Sequence, residues 1–257
     1  MSDKVVVIVD FDNYFPGQLQ NYTIQELESF FTKIINVIFS EHNDTNNICI
    51  RLYGGWYQEY VYTQKASLLA TYLQQINIFP IIRNSRKIDG SIVIAEQQFE
   101  LDFVWYNTFQ KKAGLQKVLI DHSKESQTCS SNSGLCSVRI LQKFIKNKER
   151  PCNNVGCTTK HQEILYRKEQ KMVDTMMTCD VITYSSEPTI KAIYIASDDV
   201  DLFPCIAISK VRHSDKEITL LKKNGMQEPL YSNILSNCNA KVTYRKHKYQ
   251  YSLRCWG

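Results

Sequence analysis

Val5-Val6-Val7-Ile8-Val9-Asp10-Phe11-Asp12-Asn13 is the stretch that decides the fold. Five consecutive β-branched residues favour an extended chain. A strand with no polar alternation is covered on both faces, and Asp and Asn then end it. The segments that follow agree with a layered α/β arrangement. Thr23 with Glu26 three residues later is the capping-box pattern, and Leu27, Phe30, Phe31, Ile34, Ile35 and Ile38 recur at helical spacing. A strand over 48–53 ends at Gly54-Gly55, residues 63–75 are helical, and 76–82 read as a strand interrupted by Pro80. Strand alternating with helix predicts βαβ units, a mostly parallel central sheet and helices on both of its faces.

The middle of the chain is less regular. Residues 91–95, preceded by the turn signal Asp89-Gly90, and residues 100–105 have strand composition, as does 118–120. Polar loops are expected over 123–134 and 150–160, with a basic amphipathic helix over 138–148 between them. Regular patterning resumes with a long helix over 164–183, a strand over 190–196 and a helix over 201–209. Strands over 218–221 and 241–244 flank a short helix near 231–236. This predicts one domain over 1–257, with a cysteine-containing insertion at about 121–161 and a basic-aromatic tail at 244–257.

A hydrophobic content of 43% with 22% charged residues excludes a disordered chain. No apolar stretch approaches the roughly 18 residues of a membrane-spanning helix. Without a basic leader, an apolar core segment and a small-residue cleavage site, the expectation is a cytoplasmic protein with reduced thiols and no membrane partner. The net charge of +5 is compatible with a polyanionic partner without requiring one. Its distribution says more: bases concentrate in 139–171 and 241–254, and acids gather in three clusters.

Those clusters are Asp10-Phe11-Asp12-Asn13, Lys171-Met172-Val173-Asp174 with Asp180 beyond it, and Ser197-Asp198-Asp199-Val200-Asp201. A carboxylate near a hydrophobic core is costly unless it is paired or holds a cation. Oxygen-only donors suit Mg²⁺ or Mn²⁺. In parallel α/β sheets the functional crevice lies at the carboxyl ends of the strands, where Asp10 and Asp199 both fall. Asp174 reaches the same edge if its helix projects there, with Val173, Met176 and Met177 facing the core. Taken singly, each acid has a plainer role: Asp12 or Asn13 as turn formers, Asp198 or Asp199 as a helix N-cap, Asp174 as a solvated helix residue.

The strand ending in Asp10-Phe11-Asp12-Asn13, the Lys171-Met172-Val173-Asp174 segment with Asp180, and Ile195-Ala196-Ser197-Asp198-Asp199-Val200-Asp201-Leu202 together resemble the PIN-like nucleases of the NYN type. They look like that family's strand-Asp-x-x-Asn, Lys-Gly-Val-Asp and Ser-Gly-Asp-Ser-Asp-Phe signatures, in the same order. The resemblance covers both ends of the chain and not roughly 85–160. It implies a three-layer Rossmann-like (PIN-like) domain and a metal-dependent endoribonuclease acting on single-stranded RNA. Asp10, Asp174 and Asp199 would be the metal-site acids, with Asp201 a fourth. Asn13, Ser197 and Lys171 would hold the ligand loops or contact the substrate. Two residues depart from the pattern. Met172 stands in place of a Gly, which is harmless if it lies on a helix. Asp198 stands in place of the Gly before the ligand Asp, which alters the turn and adds a charge.

Two other functions fit part of the same residues. A haloacid-dehalogenase-type phosphatase would use Asp10 and Asp12 as nucleophile and acid, although Tyr14 stands where a Thr or Val is expected. A non-catalytic RNA-binding module would keep the fold alone. Two further features bear on cofactors and partners. Cys152, Cys157 and His161 have ligand-like spacing for one structural Zn²⁺, and read equally as ordinary loop residues. The tail interleaves Lys246 and Lys248 with Tyr249, Tyr251 and Trp256, which suits single-stranded RNA or an ordinary terminal strand.

Overall fold

Strand β1 (Lys4–Asp10) is buried from its second residue onward, as its unbroken apolar run requires. It lies in a computed structural model that describes residues 4–113, 140–141, 143, 149–151, 155–160, 163, 166–223 and 241–244. The chain divides into two compact units, one formed by 1–109 with 170–257 and the other by 110–169. The expected insertion at 121–161 falls inside the second.

In the first unit, β1 leads through α1 (Phe11–Tyr14) to α2 (Ile24–Glu41). Thr23 caps α2 with both hydrogen bonds of the capping box: its hydroxyl accepts the Glu26 N–H, and the Glu26 carboxylate accepts the Thr23 N–H. Then come β2 (Asn47–Tyr53), the short hairpin β3 (Tyr57–Gln58) and β4 (Val61–Tyr62), and α3 (Gln64–Gln75) capped by Thr63. Strands β5 (Ile81–Arg83) and β6 (Arg86–Ile94) complete the first half. After the second unit the chain returns through α4 (Val173–Ser186), β9 (Ile190–Ala196), a 3₁₀ turn (Val200–Leu202), α5 (Phe203–Arg212), β10 (Glu217–Lys222) and β11 (Lys241–Tyr244). Strands β7 (Phe109–Ala113) and β8 (Tyr166–Gln170) form a separate two-stranded sheet. In the second unit, a bridge joins Pro151 to Lys160, whose ammonium pairs with Glu149 at 3.6 Å.

The main sheet has seven strands in the order β11-β10-β9-β1-β2-β6-β5. Every pairing is parallel except β5 with β6. This is a mixed α/β fold with a mostly parallel central sheet and helices packed on it. Because side chains alternate along a strand, β1 feeds two cores. Val5, Val7 and Val9 join Leu27, Phe31 and Ile38 of α2 and Leu69 of α3, whereas Val6 and Ile8 join Met177 and Val181 of α4 and Ile206 of α5.

Several expectations are corrected. The strand over 76–82 is reduced to Ile81–Arg83 and runs antiparallel. Asp89-Gly90 is no turn: both residues lie inside β6, opposite Asn47 and Ile48. The chain reverses instead at Asn84 and Ser85, both left-handed at φ 49° and 59°, as a two-residue type I′ hairpin requires. Residues 100–105 form no strand. The long helix over 164–183 is really β8, a break at Lys171-Met172, and then α4. The helix over 201–209 starts as a 3₁₀ turn and continues as α5 to Arg212. Expectations for 118–120, 123–134 and 231–236 lie outside the described residues, as does most of 138–148. No helix among the described residues is long and apolar enough to cross a membrane.

Candidate functional site

From the central β1 the chain steps to β2 and β6 on one side, and later from β9 to β10 and β11 on the other. The order therefore reverses between β1 and β9. Strands that diverge in this way leave a crevice beyond their carboxyl ends. Val9 pairs with Ala196 across that point, so Asp10 and Ser197 face each other at its mouth.

A chain of hydrogen bonds links the two sides. Asp10 is 6% exposed and caps α1, accepting the Asn13 N–H at 3.2 Å. The buried Ser197 hydroxyl donates to its other oxygen at 3.0 Å. The same hydroxyl accepts the Asp199 N–H at 3.0 Å, and the Asp199 carboxylate accepts the Asp201 N–H at 2.9 Å. Asp199 thus does cap the 3₁₀ turn, the plainer role open to it in the sequence. Asp174 lies in the first turn of α4. Its charge acts on Asp10, and those of Asp199 and Asp201 act on it.

The electrostatics follow from burial first and from neighbouring charges second. Burial pushes the Asp10 carboxyl up to about 6; the Ser197 and Asn13 hydrogen bonds oppose the rise, and Asp174 and Asp12 add to it. Asp174 is also raised, first by partial desolvation and then by Asp199 and Asp201. Of the four acids predicted for the site, hydrogen bonds join Asp10, through Ser197, to Asp199 and Asp201, and Asp174 is linked to them by its charge.

Other acids are used differently. Both oxygens of Asp12 are engaged: it accepts the Gly55 N–H at 2.9 Å, the Lys65 ammonium and the Gln170 amide. Gly54 is required beside it, since a Cβ there would fall 2.9 Å from an Asp12 oxygen and 2.8 Å from the Trp56 ring. Asp180 lies apart, buried against the Tyr53 hydroxyl, the Phe99 N–H at 2.9 Å and the Arg51 guanidinium at 3.5 Å. It ties α4 to β2. Asp198 turns its carboxylate to the Lys223 N–H at 2.8 Å, while its carbonyl accepts the buried Lys222 ammonium at 3.2 Å. It does not have a positive φ, so the backbone does not call for glycine at this position.

Met172 corrects the expectation of a harmless helix residue. It is the N-cap of α4 with φ 64°, a left-handed conformation that glycine adopts without strain. Lys171 precedes it, its N–H bound to the Thr108 carbonyl at 2.9 Å. Lys65, Gln170 and Lys222 were not found from the sequence. Only Lys222 carried a signal, as a cation closing an apolar strand.

The oxygen-only donor set at the sheet edge suits a hard divalent cation, which would offset the burial and, secondarily, the repulsion that raise Asp10 and Asp174. Among the described residues, no three or more His, Cys, Asp or Glu side chains are grouped closely enough to hold a metal directly. Mg²⁺ commonly keeps several waters and takes only one or two carboxylates, so an open group of this kind remains within its chemistry. Cys157 is half-buried and outside any disulfide; Cys152 and His161 lie outside the described residues, as do Lys246 and Lys248. No protein-family model, curated protein or solved structure matches the chain.

Proposed function

We propose that this protein is a metal-dependent ribonuclease with a three-layer Rossmann-like, PIN-like fold, cleaving single-stranded RNA in the cytoplasm. The observation that carries the reading is the hydrogen-bonded link of Asp10, Ser197 and Asp199 across the switch point between β1 and β9, with the charge of Asp174 acting on Asp10 from the start of α4. The likeness of those same segments to the NYN signatures supports it. One or two of Asp10, Asp174, Asp199 and Asp201 would bind Mg²⁺ or Mn²⁺ directly, and the others would act on it through its waters. The bound metal would supply an activated water and charge stabilisation on the reacting phosphate oxygens.

The chain's own residues do the positioning. Ser197 fixes Asp10 and Asp199 relative to each other by donating to one and accepting from the other. Lys222 and the Lys223 N–H hold the Asp198 backbone and side chain, and so the loop that carries Asp199. Asp12 ties α1 to α3 and to the end of β8 without entering the acid group.

The test is cleavage of an end-labelled single-stranded RNA with Mn²⁺ or Mg²⁺, beside para-nitrophenyl phosphate as a general phosphatase substrate. Metal-dependent RNA cleavage, lost in Asp199→Asn and with chelator, is the expected result. Phosphatase turnover without RNA cleavage, or RNA cleavage unchanged in Asp199→Asn, would overturn the reading.

A further inference from the structure

The β3–β4 hairpin carries a group of tyrosines that the acid site does not use. Tyr57 and Tyr62 face each other across it with ring centres 4.7 Å apart, and both are partly buried against the core. Tyr106 stands edge-on to Tyr57 at 5.0 Å and lies 5.2 Å from Tyr60. The two outer rings are open to solvent, Tyr60 at 79% and Tyr106 at 42% exposure. Tyrosine combines an apolar ring with a polar hydroxyl, and is enriched where a surface is covered by a partner.

The presentation is built, not incidental. Glu59 at the hairpin tip and Asn107 beside Tyr106 both have left-handed backbones, at φ 55° and 61°. They hold each other: the Asn107 N–H donates to the Glu59 carbonyl at 3.0 Å, and the Glu59 N–H donates to the Asn107 side chain at 3.3 Å. Non-glycine residues in this region of backbone space are unfavourable and persist only where the surroundings fix them. Here they set Tyr60 and Tyr106 side by side.

The group is anchored to the segments that carry the site acids. The hairpin follows Gly54-Gly55 at the carboxyl end of β2, and the Gly55 N–H donates to Asp12. The Tyr57 N–H donates to the Thr108 hydroxyl at 3.0 Å, and the Thr108 carbonyl accepts the Lys171 N–H, three residues before Asp174. The rings are thus fixed to both the β1 end and the α4 start.

We propose that Tyr57, Tyr60, Tyr62 and Tyr106 form a stacking platform for the bases of a single-stranded nucleic acid whose backbone runs to the acid edge. The proposal rests on the nuclease reading and adds to it the surface that orients the strand. Ring stacking is tolerant of base identity and selects for unpaired bases, because a base inside a duplex has no free face. The rigid inner pair fixes the outer rings, so little side-chain freedom is lost on binding.

The experiment is fluorescence anisotropy of a 5′-labelled oligouridylate of about twelve nucleotides, in chelator so that it stays intact. The full chain is compared with Tyr60→Ala/Tyr106→Ala and Tyr60→Phe/Tyr106→Phe. Loss of two stacking rings should weaken binding by about tenfold or more, the Phe variant should stay within about twofold, and a duplex of the same length should compete poorly. Both side chains are exposed, and a thermal melt matching the parent shows that the Ala variant is folded. Should that variant melt early, Tyr60→Ala alone, at the hairpin tip, serves in its place. Equal affinity of the parent and Ala variants, or an equal loss in the Phe variant, would overturn the platform; the first result would leave the rings as a protein-docking face. Failure of the parent to cleave RNA with Mn²⁺, with ring-dependent binding intact, would overturn the nuclease reading and leave the platform standing.

Discussion

Asp10 is held where a charge is least welcome, at the end of a buried strand, with Asp174 and Asp12 acting on it. Its carboxyl ionises near 3.8 in the unfolded chain and near 6 in the folded one, so the folded state binds the extra proton between those values. Stability from this group is therefore full below about 3.8 and is lost as pH rises through about 6. The loss is on the order of 3 kcal/mol. In urea melts with chelator, Asp10→Asn should match the parent near pH 4 and exceed its stability at pH 7, by somewhat less than that figure because Ser197 must reorient. A gap independent of pH would contradict the buried-carboxylate account. Met172 gives the second expectation at this scale. A left-handed backbone costs a non-glycine residue about 1–2 kcal/mol, and glycine loses about 0.5–1 kcal/mol more chain entropy on folding. Met172→Gly should therefore stabilise by about 0.5–1 kcal/mol, read as a shift in the urea midpoint, and Met172→Val should destabilise. The sequence showed that Asp10 ends one strand and that Asp199 follows another, because the apolar runs stop at Val9 and Ala196. It did not show the left-handed Met172, since no Gly or Pro marks the break and Val173, Met176 and Met177 continue an apolar spacing that looks helical from Ile164 onward.

At the level of elements, the β5–β6 hairpin shows how a dipeptide signal can mislead. Asp-Gly is a strong turn former, yet Gly90 sits in mid-strand opposite Ile48. Its missing side chain is what matters: a Cβ would fall 2.5 Å from the Ile48 carbonyl oxygen and 2.6 Å from the Phe79 ring. Gly90→Ala should cost about 2 kcal/mol or more in urea unfolding, because backbone is the obstacle and cannot rotate away. An unchanged midpoint would mean that the β2–β6 contact is looser than this. The reversal at Asn84-Ser85 was hidden because only one of the two is a common left-handed residue. In contrast, the start of α2 was legible from the Thr23 capping box and its periodic apolar face, and α3 was legible to within a residue, Thr63 being its cap and not its first residue. Strands β1 and β9 were equally plain as apolar, almost wholly buried runs, and β2 as an alternating one closed by Gly54-Gly55. The strand expected over 100–105 failed because local aromatic composition does not specify a pairing partner.

Across the whole molecule, the mostly parallel sheet was readable from strand–helix alternation, but the strand order was not, because no local pattern records which strands become neighbours. That order is what brings the acids together. The Ser197–Asp10 hydrogen bond spans 187 residues, and the β1–β9 ladder beneath it closes a loop of similar length. Contacts so distant in sequence form late in folding, after chain entropy has been overcome by nearer pairings. The acid group is therefore incomplete in a chain that has made only β1, α2 and β2: Asp10 then pairs with Tyr53 but lacks Ser197 and the loop that carries Asp199. In the proposed nuclease, the acid site would stay unassembled, and surrounding RNA untouched, until β9 docks beside β1.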